Sequence, residues 1–354
     1  MSNYDQFAAA VKEISGGKNV VLLDDLGLPS VYVPINKLKN SEIISGGSEN
    51  THPAFSVNGV EKSRFLYSKY QNIVINGRAY SLSHRDPKTY VNFDQARQAC
   101  EAKGAGFHLG TLAEWAAVAL LTRKMGTMPH GNNNYGRDSV YTYEKGQESA
   151  KDNDKTGRTF TGSGPATWGH DHTQFGIQDM NGNVWEWLGG MRLNEGEIQI
   201  IPYNNAALGS ECDMSPSSTL WKAIKNDGSL VAPGTAATLK YDFVSGNIQL
   251  TTGITSAQDA GRGGSYTAMT LASGVTAPEL AKALILYPDE PGKDYGGDYH
   301  WMNNAGERLP FAGGGWNSGA YAGVFNLYLL NARSNSNSNV GFRSAFYGKL
   351  DSEI

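Results

Sequence analysis

The stretch "GGGWNSGAYAGVFNLYLLNARSNSNSNVGFRSAF", Gly313 to Phe346, decides how the rest of the chain is read. Its middle, "VFNLYLL", has the alternation of a strand: Phe325, Leu327 and Leu329 fall on one face, and Asn326, Tyr328 and Leu330 on the other. The first set is uniformly apolar and reads as core. The second is amide, phenol and alkyl in succession, with no shared property. An outward face whose side chains share nothing suits a binding surface carried on a fixed scaffold. Tyr321 and Tyr328 among Ser, Gly, Ala and Asn resemble a paratope, in which rigid amphipathic rings anchor and small residues adapt.

Working outward, the composition is that of a loop-rich globular protein. The 354 residues include 43 Gly, with 18% charged residues and a net charge of -4, while 18 Tyr and 7 Trp supply large side chains for burial. No Lys/Arg block marks a nucleic-acid partner. The apolar run Ala116–Leu121 is too short for a membrane span, and "MSNYDQFAAAVKEI" lacks the basic start and apolar centre of a secretory signal. Cys100 and Cys212 are expected to be free thiols.

Residues 1–52 read as a small N-terminal α/β module for attachment or assembly. A helix with Phe7, Val11 and Ile14 on its buried face is followed by two short strands. In the larger unit, 53–354, Asn76-Gly77 marks a hairpin. Two helices follow. In the first, Phe93, Ala96 and Cys100 share one face, with Gly104 ending it. The second opens with a Thr111/Glu114 capping box and buries Trp115, Val118, Ala119 and Thr122. Residues 126–168 form a long polar loop, and about 192–310 reads as insertion and loop around a smaller sheet.

Three pieces now carry a resemblance: "FDQARQACEAKGAGFHLGTLAEWAAVA" from Phe93, "GNVWEW" at Gly182–Trp187, and "GFR" at Gly341–Arg343. In this order they resemble the formylglycine-generating-enzyme type of C-type lectin fold, an α+β fold with long loops and insertions. The C-terminal stretch is similar to that of variable proteins of diversity-generating retroelements, including phage tropism determinants. In that family an error-prone reverse transcriptase rewrites template adenines, so Asn codons are the commonest diversified positions.

The resemblance implies a receptor-binding protein of a phage or prophage with a variable region over 313–346. Its ligand-binding residues are expected at Gly315, Asn317, Ser318, Ala320, Tyr321, Asn326, Tyr328, Leu330, Asn331 and Ser338. Trp316, Phe325, Leu327, Leu329, Phe342 and Arg343 are then scaffold. The partner is a host-cell surface protein or glycan, and the assembly a homo-oligomer, by resemblance a trimer. Location on a virion tail or a bacterial surface follows from the same source.

The alternative is a metal-dependent oxidase of the formylglycine-generating or sulfoxide-synthase type. The former resembles a copper enzyme with two cysteines shortly before "GFR"; this chain has none there. For iron, His170 and His172 share a face if "WGHDHTQFG" is a strand, but no third ligand is evident. No cofactor is required by the binding reading. A structural calcium is implied by formylglycine-generating enzymes, whose "GNVWEW" region holds the ion with one Asx, one Glu and two backbone carbonyls; Asp179, Gly182, Val184 and Glu186 match. Trp185 and Trp187 are expected in the core, with Glu186 pointing the opposite way.

Overall fold

The computed structural model describes residues 3–348; the end of the expected 53–354 unit, 349–354, lies outside them. Two sheets organise the chain. The first runs Val20–Leu23, Pro29–Asn36, Arg64–Ser68, Ser344–Phe346, Phe107–Leu109, all neighbours antiparallel. The boundary expected near residue 52 does not interrupt it, because residues 32–36 of the Pro29–Asn36 strand pair with Arg64–Ser68. The segment before that boundary therefore shares a sheet with the chain's far end.

The helix Asn3–Ile14 forms as expected and packs beside Val20–Leu23, but its stripe is not buried. Phe7 is 41% and Ile14 74% exposed. Val11, between them on the stripe, is half-buried, so the apolar periodicity is only partly covered.

The second sheet has thirteen strands among the described residues. One end runs Arg262–Ser265, Tyr299–Met302, Gly323–Asn331, Glu307–Gly313, Met191–Asn194 and continues through Glu197–Ile200. Residues 192–310, expected as insertion and loop around a smaller sheet, thus supply much of a large one. Trp185–Trp187 joins Glu307–Gly313 and pairs in parallel with Val340–Phe342, in the register Trp185↔Val340, Glu186↔Gly341, Trp187↔Phe342. The two short motifs "VWEW" and "VGF" are therefore strand neighbours.

Two helices pack on these sheets. Phe93–Glu101 buries Phe93, Ala96 and Cys100 and is capped through Ala102, with Gly104 in a loop beyond. Leu112–Met125 starts at the Thr111 cap, where the Glu114 amide donates to Thr111 Oγ1 (3.2 Å) and the Thr111 amide donates to Glu114 Oε2 (3.0 Å). Trp115, Val118, Ala119 and Thr122 are buried. Asn76 and Gly77 both take positive φ in the hairpin joining Ile73–Ile75 to Arg78–Tyr80, as a two-residue turn of this kind requires.

Two cores result. The Leu112–Met125 helix packs in one with Phe325, Leu327 and Leu329; the other holds Phe93, Trp185, Trp187, Phe311 and Phe342. Trp187 meets Phe311 edge to face at 4.0 Å and Phe93 at 5.7 Å. Most strand neighbours are antiparallel, and Phe93–Glu101 and Leu112–Met125 lie together in the chain, apart from most of the strands, which is the expected α+β class.

Candidate ligand-binding face

The Gly323–Asn331 strand lies inside the second sheet, antiparallel to Glu307–Gly313 and parallel to Tyr299–Met302. Phe325, Leu327 and Leu329 are buried, as the alternation requires. The alternation fails at its start. Between the pairs Ala312↔Leu327 and Gly313↔Gly323 a single step on one strand faces four steps on the other, leaving three residues unpaired between them. This bulge turns Val324, Phe325 and Asn326 all inward.

Asn326, expected on the outward face, is consequently fully buried; its amide donates to the Tyr321 carbonyl and its Oδ1 has no partner. Gly315 is also buried, close against Trp185 and Asn339. Ser318 is half-buried and accepts from the Gly315 amide at 2.9 Å, so it holds a turn. Asn317, Ala320 and Tyr321 are exposed, Tyr321 by 55%. Tyr328, Leu330, Asn331 and Ser338 are half-buried. Trp316, Phe342 and Arg343 are buried.

The main chain of this stretch is tied to neighbours outside it. Tyr135 donates its amide to the Trp316 carbonyl (2.7 Å), Gly319 to Asn133 (2.8 Å), Trp316 to Asn183 (3.1 Å), Tyr90 to Asn337 (3.0 Å) and Trp185 to Asn339 (2.8 Å). The Arg158 guanidinium reaches the Ser338 carbonyl at 3.2 Å. Within the stretch, these bonds use backbone atoms only. Side chains at 317, 320, 321 and 337 can change without breaking any of them.

Two aromatic residues from the long middle section complete the face. Tyr299 and Trp301 are half-buried on the Tyr299–Met302 strand, on the same side as Tyr328. Ring centroids step from Tyr321 to Tyr299 at 4.8 Å, Tyr299 to Trp301 at 4.8 Å, Trp301 to Tyr328 at 6.1 Å and Tyr328 to Trp185 at 4.9 Å. Gly263 lies beneath them; a Cβ there would come within 2.7 Å of both the Tyr299 and Trp301 rings. Sequence reasoning missed Tyr299 and Trp301. The alternation "YHWM" was the available signal, but only the long-range strand pairing sets them beside Tyr328.

The candidate metal ligands are placed differently. The His170–His172 segment is a turn, not a strand. His170 is buried, accepts from the Ile177 amide at 2.8 Å, and desolvation pushes its pKa down to about 4. His172 points the other way, toward the Met128 carbonyl at 3.0 Å. Cys100 and Cys212 are both buried free thiols, and burial pushes each upward, Cys212 to about 11. Among the described residues no group of three or more His, Cys, Asp or Glu is arranged to hold a metal.

Asp179, Gly182, Val184 and Glu186 do converge, but on a side chain. The Gln71 Nε2 lies 3.1 Å from the Asp179 carbonyl, 3.4 Å from Gly182 O, 3.0 Å from Val184 O and 3.0 Å from Glu186 Oε1. Calcium sits about 2.3–2.6 Å from its oxygens, so an ion among these four would collide with the amide. One oxygen of the Asp179 carboxylate accepts from the Gly162 amide at 2.8 Å, and the other is buried with no partner among the described residues. This arrangement does not fit the implied calcium. Trp185 and Trp187 fill the core and Glu186 points opposite, paired with Arg343, as the sequence indicates.

The profile of the sulfatase-modifying factor enzyme 1-like domain (FGE-sulfatase) matches residues 34–269. No curated protein sequence matches the chain. Among solved structures it is similar to Treponema denticola variable protein 1, at 13% identity and a TM-score of 0.35 over 93% of this chain and 99% of that one. PvdO from Pseudomonas aeruginosa gives 12% and 0.37, over 93% and 98% of the two chains. The Major Tropism Determinant U1 variant gives 12% and 0.31, over 89% and 62%. Among the described residues no helix is long and apolar enough to cross a membrane.

Proposed function

The chain belongs to the sulfatase-modifying factor enzyme 1-like domain family, with its C-type lectin fold, and from that premise we propose that it is a ligand-binding protein and not a catalyst. The observation that carries the reading is the way Gly313–Phe346 is held. Its main chain is tied to fixed neighbours, while Asn317, Ala320 and Tyr321 face solvent and Tyr328 and Leu330 border them. Such an arrangement separates folding from recognition: partner choice changes with the side chains while the scaffold stays the same.

The face is aromatic and nearly uncharged, with Tyr321, Tyr299, Trp301 and Tyr328 as rigid anchors and small polar residues around them. The partner is a host-cell surface protein or glycan. Diversification by a retroelement accounts for the Asn and Ser content of 331–339. A phage or prophage receptor-binding role, on a virion tail or a bacterial surface, is the setting in which such a face has value. Assembly into a homo-oligomer is supported by the outward apolar side chains of the Asn3–Ile14 helix, and copies displayed together raise avidity by about 10² to 10⁴.

The oxidase alternative has little to work with. Its thiols would have to act from burial that keeps them protonated, and His170 is committed to a backbone amide. Sequencing many copies of the gene from one population tests the proposal. Variation concentrated at 317, 320, 321, 328 and 330, with Phe325, Leu327 and Leu329 constant, is the expected result. Uniform copies, together with metal-dependent oxidation of a thiol substrate by the purified protein, overturn it.

A further inference from the structure

We propose that the side-chain amide of Gln71, together with the Arg343 guanidinium, takes the position of a cation in this chain and makes the turn that leads into Trp185–Trp187 independent of metal. The inference does not depend on what the exposed face binds. It starts from the four oxygens around one nitrogen: three backbone carbonyls, of Asp179, Gly182 and Val184, and one carboxylate oxygen of Glu186. Carbonyls pointing inward from a tight turn repel one another, and buried acceptors need a donor or a positive charge at their centre. Gln71 sits on the segment after the Arg64–Ser68 strand and reaches in from outside the turn.

The orientation of that amide is fixed by a chain of bonds. The Thr159 backbone N–H is an obligate donor and lies 2.8 Å from Asn183 Oδ1. The oxygen of the Asn183 amide must therefore face Thr159, which leaves Asn183 Nδ2 donating to Gln71 Oε1 at 2.8 Å. The nitrogen of Gln71 then faces the four acceptors. A flipped Gln71 would set its oxygen against four others.

An amide supplies hydrogens but no net charge. Arg343 supplies the charge: its Nε and Nη2 lie 2.6 and 2.8 Å from the two Glu186 oxygens, and its remaining donors reach the carbonyls of Ser68, Lys69 and Gln178. Glu186 is thus neutralised by a guanidinium on one side and hydrogen-bonded by an amide on the other, with both side chains of the ion pair buried. The three carbonyls and the Glu186 carboxylate thus face donors of this chain alone, the two Gln71 amide hydrogens being shared among four oxygens, while Asp179 Oδ1 nearby is left without a partner.

The test uses the full chain. Protein stripped with EGTA is compared in EGTA and in excess calcium chloride, by thermal unfolding and by elemental analysis for bound calcium. The wild type is expected to hold no calcium and to melt within about 2 °C in the two buffers. Gln71→Glu replaces the donor by a carboxylate facing Glu186 and the three carbonyls. It is expected to melt lower than wild type in EGTA, and to bind calcium and regain melting temperature when the ion is added. Wild-type protein that retains about one calcium per chain, or that loses several degrees in EGTA, overturns the inference, and it does so whether or not the variant folds. A folded Gln71→Glu that neither binds calcium nor responds to it overturns it as well.

Discussion

Trp301 and Tyr328 are partners across a parallel strand pair, their ring centroids 6.1 Å apart, although one belongs to the long middle section and the other to the C-terminal stretch. Half of the aromatic face, Tyr299 and Trp301, therefore lies outside the 313–346 stretch. Trp301→Ala is expected to weaken binding of any partner selected on this face by about 10-fold or more, equivalent to about 1.4 kcal/mol, while unfolding stays cooperative. Titration of a selected ligand against wild type and variant measures it; unchanged affinity across several ligands removes Trp301 from the site.

Substitutions within the stretch should sort by burial. Asn317→Lys and Ala320→Ser are expected to shift stability by no more than about 0.5 kcal/mol. Tyr328→Asn, which strips a half-buried ring from Trp185, Phe311 and Trp301, costs about 1–2 kcal/mol. Leu327→Asn places a polar group in the core at a cost of about 3–5 kcal/mol. Denaturant titration of the four variants establishes the order.

Arg343→Leu leaves the Glu186 carboxylate buried without its counter-charge, and a loss of about 3–5 kcal/mol is expected. Adding Glu186→Gln to that variant removes the stranded charge, so the double variant should be more stable than Arg343→Leu alone. A double variant worse than the single one contradicts this account of the pair.

Three buried histidines set an acid limit. Desolvation holds His52 and His170 at about 4 and His300 at about 3, so all three are neutral in the folded chain. A depressed folded pKa means that the unfolded chain binds the proton more readily. The stability these groups contribute is present above about 6.5 and is lost as pH falls toward the folded values. Chemical denaturation at pH 7 and pH 4.5 should show the decline. His52→Gln, which cannot take up a proton in this range, should show a shallower one.

What the sequence made legible was local. Thr111 and Glu114 sit three apart, Asn76-Gly77 is a two-residue turn, and "VFNLYLL" alternates; each is decided by neighbours along the chain. Asn326 was misplaced because the bulge depends on how Glu307–Gly313 pairs with the strand, which no local pattern records. Tyr299, Trp301 and Gln71 escaped notice for the same reason: each acquires its role from residues 27 to 115 positions away. The Phe7 and Ile14 stripe was legible as a helix, but periodicity alone says only that one side is apolar, not that anything covers it.

Ser344–Phe346, the strand directly after the Ser/Asn string, lies in the interior of the first sheet, with Arg64–Ser68 on one side and Phe107–Leu109 on the other. That sheet stays open between Arg64–Ser68 and Phe107–Leu109 until residues 344–346 have been made and docked. Reading frame is thereby checked by folding itself. A base inserted or lost within 313–339 would scramble "GFRSAF" and leave two strand edges open to aggregation and proteolysis, whereas a substitution at an exposed position such as 317 or 320 leaves that strand in place.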